Sequence, residues 1–409
     1  MHSETLKGKK ILLGVTGCIA AYKSAFLIRE IKKLGAEVKV VMTPSAVQFI
    51  SPLTLSSLSQ NKVIVNMFPV SQEYGTDMST WHIDYALWAD LMIIAPATIN
   101  TVAKISAGFA DNALTTLVTA LRCPLIIAPA ADVDMYNNPI TSENLSKLES
   151  LGYYILPSEE GELASGLKGM GRLPELEKII DSISLIISGL RKDLIGLKIL
   201  ITAGPTYEDI DPVRFIGNRS SGKMGVALAK AAWLRGAEVT LIAGPNSQSL
   251  YPEIKLINIR SASEMKNAVD KELPANNILI MSAAVADFKP SKIAGKKIKK
   301  DNKSLPLQLS PTVDILSTIK KENKFIVGFA LETDNELKNA KKKLIDKKLD
   351  MVILNSLNDK KSGFEFDTNK ITVLHKSGKT VKLPLMSKFS AANKILSEII
   401  NNISNSSSV

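Results

Sequence analysis

The stretch GNRSSGKMG (217–225) holds the residue types of a phosphate site. Gly217, Gly222 and Lys223 have the spacing of a P-loop, G-x-x-x-x-G-K-[S/T]. Met224 stands where that pattern needs a hydroxyl to hold Mg²⁺. A P-loop also follows its strand directly, whereas here GPTYEDIDPVRFIG lies between the strand ending at Ala203 and the loop. A Walker-type NTPase is therefore disfavoured. Small residues, Lys223 and a helix N-terminus with open N–H groups still suit an anion. The plainer alternative is Ser220 or Ser221 as an ordinary helix cap.

The elements around this loop read as β-α-β. Lys10–Gly14 reads as a buried strand, Gly14–Gly17 as a turn, and Ile19–Leu34 as a helix. AEVKVVMTPSA, DLMIIAPAT and CPLIIAPA supply further short apolar runs, each closed by a proline turn. Alternation of this kind implies a parallel sheet with helices on both faces. Ligands then collect beyond the carboxyl ends of the strands, here GVTGCIA, TPSA, APATIN and APAADVDMY. A helix and connector over 178–196 separate this half from a restart at strand Lys198–Ala203, helix Lys223–Arg235 and strand Glu238–Ala243. NILIMSAAVADF, KFIVGFALET and DMVILNS continue the second half, and the tail NNISNSSSV reads as disordered. The expected fold class is α/β with two doubly wound, Rossmann-like domains, residues 1–190 and 191–409.

Bulk properties agree with two domains, since one core rarely exceeds about 250–300 residues and the chain has 409. A net charge of +11 points to an acidic partner. Aromatic residues make up 5% of the chain, too few to interleave a basic face, which argues against nucleic acid. Two separated cysteines, Cys18 and Cys123, argue against a disulfide framework or zinc, and fit the cytoplasm. LKGKKILLGVTGCIAAYKSA (6–25) has the basic start and apolar run of a signal peptide. Its glycine turn, repeated in design at GLKILITAGPT (196–206), reads instead as strand into helix. No apolar run reaches the ~18 residues of a membrane span.

Three segments are more particular. GPTYEDIDPVRFIGNRSSGKMG (204–225), SAAVADFKP (282–290) and KKIKK (296–300), supported by VGFALET (327–333), resemble the phosphopantothenate–cysteine ligase of bacterial coenzyme A biosynthesis. GVTGCIAAYK, WHIDYALWADLMIIAPATINTVAKISAGFADNALT and GELASGLKGMGRLPE resemble the flavin-dependent phosphopantothenoylcysteine decarboxylase, the usual fusion partner. The resemblance implies a flavodoxin-like, FMN-binding first half and a CTP-binding second half. The ligase would join 4′-phosphopantothenate to cysteine through an acyl-cytidylate, with Mg²⁺ or Mn²⁺. The decarboxylase would then give 4′-phosphopantetheine. Self-assembly into a homo-oligomer, without nucleic acid or membrane, is implied as well.

In the ligase half the resemblance assigns CTP to Ala283, Asp287, Lys297, Phe329, Lys343 and Lys347, with Asp287 also a metal ligand or a ribose partner. Lys296, Lys299 and Lys300 flank Lys297 in a run that would otherwise be a solvated face. Lys343 and Lys347 are i, i+4 neighbours, whose repulsion an anion would relieve. Asn218 would stabilise the acyl-cytidylate, and Arg214 would pair with an anionic substrate. In the first half Thr16, Gly17, Thr43, Ser45, Thr98 and Asn100 sit at successive strand ends, suited to FMN. His82 would be the general base, His2 being terminal and His375 lying in a strand.

Two departures stand out. The family's P-A-M-N-x-x-M is PAADVDMY here, with Asp132 in place of the asparagine that binds a carboxylate. The flap A-C-G is ASG, with Ser165 in place of the acid cysteine. An alternative reading is thus an active ligase whose decarboxylase half is impaired or purely oxidative and releases an enethiol. A flavoprotein acting on a peptide's C-terminal cysteine would leave the ligase motifs unexplained. A regulatory, non-catalytic descendant would rest on Asp132 and Ser165 alone.

Overall fold

The computed structural model describes residues 6–68, 80–299, 305–332, 334–356 and 366–406. His2, Lys300, Thr333 and residues 407–409 lie outside the described residues. Two compact units divide at Gly189 and Leu190.

The first unit is a six-stranded parallel sheet in the order β3-β2-β1-β4-β5-β6. Its strands are β1 (Lys10–Val15), β2 (Glu37–Met42), β3 (Val63–Ile64), β4 (Leu91–Ala97), β5 (Leu125–Pro129) and β6 (Tyr154–Ile155). Alternate residues of the central strands feed two cores. Ile11, Leu13 and Val15 pack with α1 (Lys23–Lys33), α2 (Pro52–Ser59) and α8 (Leu176–Ile187). Leu12, Met92 and Ile94 pack on the other face with α3 (Trp81–Trp88), α4 (Ile99–Ser106), α5 (Ala113–Ala120) and α7 (Pro139–Ser150). Both faces are apolar because parallel strands are covered on both sides. This is the doubly wound sheet expected of a flavodoxin-like half. A short helix, α6 (Val133–Asn137), and an antiparallel hairpin, β7 (Glu159–Glu162) and β8 (Lys168–Arg172), complete the unit.

The second unit has an eight-stranded mixed sheet, β13-β12-β9-β14-β17-β18-β20-β21. β9 (Lys198–Ala203), β12 (Glu238–Ala243), β13 (Lys255–Asn258), β14 (Ile278–Met281), β17 (Phe325–Glu332) and β18 (Met351–Ser356) run parallel. β20 (Ile371–His375) and β21 (Thr380–Lys382) add an antiparallel edge. α9 (Lys223–Leu234) packs against β9 and β12, and α13 (Lys388–Ser406) packs against α9. α10 (Ala262–Glu272) and α12 (Glu336–Asp346) contribute Met265, Val269, Ala340 and Leu344 to a core with Leu200, Leu279 and Ile326. A short α11 (Ile315–Thr318) joins that core through Ile315 and Leu316. Small two-stranded pieces are β10 (Tyr207–Asp209) with β11 (Phe215–Gly217), β15 (Phe288–Pro290) with β16 (Leu309–Pro311), and β19 (Thr368–Asn369) with β22 (Met386–Ser387).

The tail departs from expectation. Residues 401–406 continue α13 as helix. Ile395, Leu396 and Ile399 bury one side of α13, so tertiary packing overrides the polar composition of its end.

Each sheet reverses strand order at its first strand, β1 or β9, which places a crevice at the carboxyl edge between that strand and its later neighbour. At the β9 edge the backbone is extremely close-set. A Cβ on Gly244 would sit 1.7 Å from the Pro205 carbonyl oxygen. Gly244→Ala should therefore lower stability by about 2 kcal/mol or more. In a unit of this size that is a fall of at least about 4 °C in the melting midpoint, readable by calorimetry. An unchanged midpoint would mean that the close approach is not maintained in solution.

Candidate functional site

The loops after β9 and β14 are joined by hydroxyl-mediated hydrogen bonds. Ser282 Oγ donates to the Thr202 carbonyl (2.5 Å), and the Ala283 N–H donates to Thr202 Oγ1 (3.2 Å). The Ala284 N–H donates to the Gly204 carbonyl (2.9 Å), and the Ala286 N–H to Thr206 Oγ1 (2.9 Å). Asn218, just after β11, donates through Nδ2 to the carbonyls of Ala284 and Val285, each at 3.1 Å. Gly222 then adopts φ +75° as the N-cap of α9, a left-handed geometry that glycine takes without strain. Gly225 lets α9 approach the sheet, since a Cβ there would meet Ala203 Cβ at 2.5 Å.

These loops wall a cavity of about 760 Å³, within the usual range for small-molecule sites of about 300–1,000 Å³. Asn218, Ala283, Asp287, Phe329, Lys343 and Lys347 all line it, as do Ser220, Ser221 and Lys223 of the opening motif. Lys343 Nζ donates to the Phe329 carbonyl (2.7 Å). Burial pushes the Lys343 ammonium below the usual lysine range, with Glu332 and Asp314 opposing the shift. Lys347 pairs with Asp314 and contacts Ser317 Oγ at 2.8 Å. Burial works against the Asp314 carboxylate, but hydrogen bonds from Lys347 and Ser317 outweigh it and hold its pKa below the ordinary carboxylate value.

Two expected residues stand elsewhere. Arg214 and Lys297 do not line the cavity. Arg214 Nη1 lies 3.2 Å from Asp211 Oδ2, and the Arg214 N–H donates to Asp211 Oδ1 (2.8 Å), so its own turn neutralises it. The backbone beside Lys297 is drawn to the same carboxylate, the Ile298 N–H donating to Asp211 Oδ2 (3.1 Å). Lys296, Lys297 and Lys299 are exposed there. Sequence reasoning missed Thr312, Asn339, Asn355, Asn369 and Lys388, which line the cavity from elements without a local motif. Lys388 is 7% exposed, and burial and the neighbouring Lys223 push its ammonium down to about 8.

In the first unit Thr16 is fully buried and already used. Its hydroxyl donates to the Pro96 carbonyl (2.8 Å) and accepts from the Thr98 N–H (2.8 Å). These bonds pin the turn after β1 to the end of β4. A Cβ on Gly17 would meet Ser45 Oγ at 2.6 Å, and Ser45 Oγ lies 3.2 Å from Thr43 Oγ1. Thr98 caps α4, accepting from the Thr101 N–H (3.4 Å), and Asn100 is exposed in its first turn. Neutral hydroxyls, an amide and helix N-termini on one sheet edge fit the phosphate and ring donors of FMN.

His82 opens α3. Lys39 of β2 lies over Tyr85 and Trp88 at 4.5 and 4.4 Å, which fixes the far end of α3 at the amino edge of the sheet. His82 lies at the opposite, N-terminal end of α3. Its Nδ1 is buried without a hydrogen-bond partner among the described residues, as a group reserved for a ligand would be. Asp132 is the N-cap residue of α6 but makes no side-chain cap bond. The β7–β8 hairpin is clamped over this loop: the Ala131 N–H donates to the Gly171 carbonyl (3.0 Å). A Cβ on Gly169 would strike Val133 Cγ2 at 2.6 Å. Ser165, at the exposed hairpin tip, accepts from the Leu167 N–H (3.4 Å).

A family model described as DNA/pantothenate metabolism flavoprotein C-terminal domain matches residues 194–403, and one described as Flavoprotein matches residues 1–188. The coenzyme A biosynthesis bifunctional protein CoaBC of Bacillus subtilis (strain 168) is 43% identical over 398 residues, 96% of this chain and 97% of that protein. This chain belongs to that bifunctional family. A cysteine/cysteine sulfinic acid decarboxylase from an unknown prokaryotic organism is 48% identical over 360 residues, 86% of this chain and 99% of that protein. A crystal structure of the C-terminal domain of a CoaBC protein is 37% identical, covers 52% of this chain and 98% of its own, and gives a TM-score of 0.45. Among the described residues no helix is long and apolar enough to cross a membrane.

Lys343 offers the most direct test of the cavity. Replacing it with Met keeps the buried stem and removes the charge. Losing a charge-assisted contact costs about 1.5–3 kcal/mol, so nucleotide affinity should fall roughly tenfold or more by calorimetric titration. Equal affinity in both proteins would remove Lys343 from the site.

Proposed function

We propose that the chain performs both steps of a two-step synthesis of 4′-phosphopantetheine. The observation that carries the ligase step is the convergence of Asn218, Ala283, Asp287, Phe329, Lys343 and Lys347 on one cavity. The carboxylate of 4′-phosphopantothenate attacks the α-phosphorus of CTP, forming a mixed anhydride and releasing pyrophosphate. The cysteine amine then attacks the acyl carbon, and CMP leaves. Lys343 and Lys347 hold phosphate oxygens and stabilise the charge that gathers there. Phe329 lies against the base. Mg²⁺ or Mn²⁺ is held by one or two carboxylates with phosphate oxygens in such sites, a set that Asp287 on the cavity wall fits. Asn218 acts through position: its two bonds to the 284–285 carbonyls keep the loop over the acyl phosphate. Ligation should require CTP and yield CMP and pyrophosphate, identified by mass. Asn218→Asp, which sets a carboxylate against two carbonyls, should slow cysteine transfer about 10²-fold and let the acyl-cytidylate accumulate. ATP turning over to ADP as the preferred reaction would defeat the assignment.

In the flavin half, bound FMN supplies a two-electron acceptor for the substrate thiol. Ser45, Asn100 and the start of α4 hold it at the carboxyl edge. His82 takes the thiol proton on Nδ1, which has no hydrogen-bond partner among the described residues. Asp132 and Ser165 stand where a substrate carboxylate is bound and where a proton is returned. A homo-oligomer completes the assembly. The protein should purify yellow, and His82→Asn should stay yellow while CO₂ release falls about 10²–10⁴-fold. CO₂ from cysteine alone, without CTP or phosphopantothenate, would instead favour a free amino acid as substrate. Asp132 gives that second reading its observation: an ionised carboxylate would repel a carboxylate and attract an ammonium group.

A further inference from the structure

At its flap the flavin half carries Ser165, and an aliphatic alcohol is a far weaker acid than a thiol. The Ser165 hydroxyl also stands at the exposed hairpin tip, where it accepts from the Leu167 N–H (3.4 Å). The loop beneath the hairpin brings in a phenol. Tyr136 lies in α6, three residues after Val133 and four after Asp132, so the three occupy neighbouring positions along one side of the helix. The Tyr136 N–H donates to the Asp132 carbonyl (2.9 Å), which fixes that turn. β8 packs on α6, with Gly169 against Val133. Tyr136 is half-buried, and its hydroxyl is held at the carboxyl edge of the sheet. Tyr136 Oη accepts from the Ser158 N–H (3.4 Å), and Ser158 Oγ donates to the carbonyl of Pro129 (2.7 Å), the last residue of β5. The adjacent strand ends at the same level: the Ala130 N–H donates to the Ala97 carbonyl (3.0 Å), and Thr98 and Asn100 follow. Among the described residues the Tyr136 hydroxyl makes one hydrogen bond, as the acceptor. Its own proton is open to a ligand. Phenols are stronger acids than aliphatic alcohols and stand next to thiols among neutral side chains.

We propose that Tyr136 is the general acid of the flavin half, giving its phenol proton to the substrate once CO₂ has left. The proposal rests on the flavin reading above. Loss of CO₂ leaves the bonding electron pair on the substrate as an enethiolate. The O–H bond of Tyr136 then breaks, and a C–H bond forms at the carbon that carried the carboxylate. The products of this step are a thioaldehyde and a phenolate, and water reprotonates the phenolate. The thioaldehyde is reduced to the thiol by the hydride taken from the substrate at the start, and the proton held on His82 goes to sulfur. Full-length wild type and Tyr136→Phe would be mixed with 4′-phosphopantothenoylcysteine in single turnovers. Flavin colour would be followed by stopped flow and products identified by mass, with flavin content and melting midpoints recorded and rates expressed per bound flavin. Phenylalanine keeps the ring and removes only the hydroxyl. The variant should keep its flavin, melt within a few degrees of wild type, and bleach and release CO₂ at a near wild-type rate. Return of the yellow colour should slow about 10²–10⁴-fold, and an enethiol two hydrogens lighter than 4′-phosphopantetheine should accumulate. A role in packing alone would slow bleaching and colour return together. Colour return at the wild-type rate, equal slowing of both phases, or no enethiol at any time point would overturn the proposal. A wild type that releases CO₂ from free cysteine and not from 4′-phosphopantothenoylcysteine would overturn the substrate reading above. The same split between bleaching and colour return, measured with cysteine, would then leave the Tyr136 assignment standing.

Discussion

Threonine hydroxyls prolong the central parallel pair of each half beyond its last strand residues, and both sites hang on that extension. Thr16 joins the turn after β1 to residues 96 and 98. Thr202 and Thr206 do the same between the ends of β9 and β14, binding Ala283 and Ala286. A parallel ladder ends with unpaired backbone groups at its carboxyl edge, and such groups are costly when buried. Thr16 both donates and accepts, so it satisfies two of them, while Thr202 and Thr206 each accept from one backbone N–H as the chain turns outward. The loops are thereby held rigidly enough to place side chains, yet still open onto solvent.

From this frame the two sites differ in kind. The ligase cavity is strongly charged, with lysines from α9, α12 and α13 answering carboxylates from other loops. The flavin edge is furnished with hydroxyls, amides and helix starts. Such donors bind a permanently held group without the salt sensitivity of ion pairs.

Strand identity was legible because buried parallel strands are short, continuous apolar runs. Lys198–Ala203 and Glu238–Ala243 match their expected limits residue for residue. The hairpins β10–β11 and β15–β16 were not legible, since three-residue strands carry no periodicity. The cavity residues near a dense motif were legible. Lys388 was not, because a lysine in MSKFSAA has no spacing to mark it, and only the docking of α13 on α9 brings it inward. Arg214 and Lys297 stand apart from that set: the resemblance pointed to them, and here Asp211 gathers both segments at a turn outside the cavity.

The cavity draws its walls from Asn218 to Lys388, whereas the residues assigned to the flavin edge span Thr16 to Ser165. Protein synthesis is vectorial. Its order gives the two activities different birthdays. The first sheet has all its strands while the ribosome is still making the second. The nucleotide cavity has no complete wall until α13 emerges and docks. The flavin half is thus complete in sequence before the ligase half, and the half proposed for the later reaction is the first to be made.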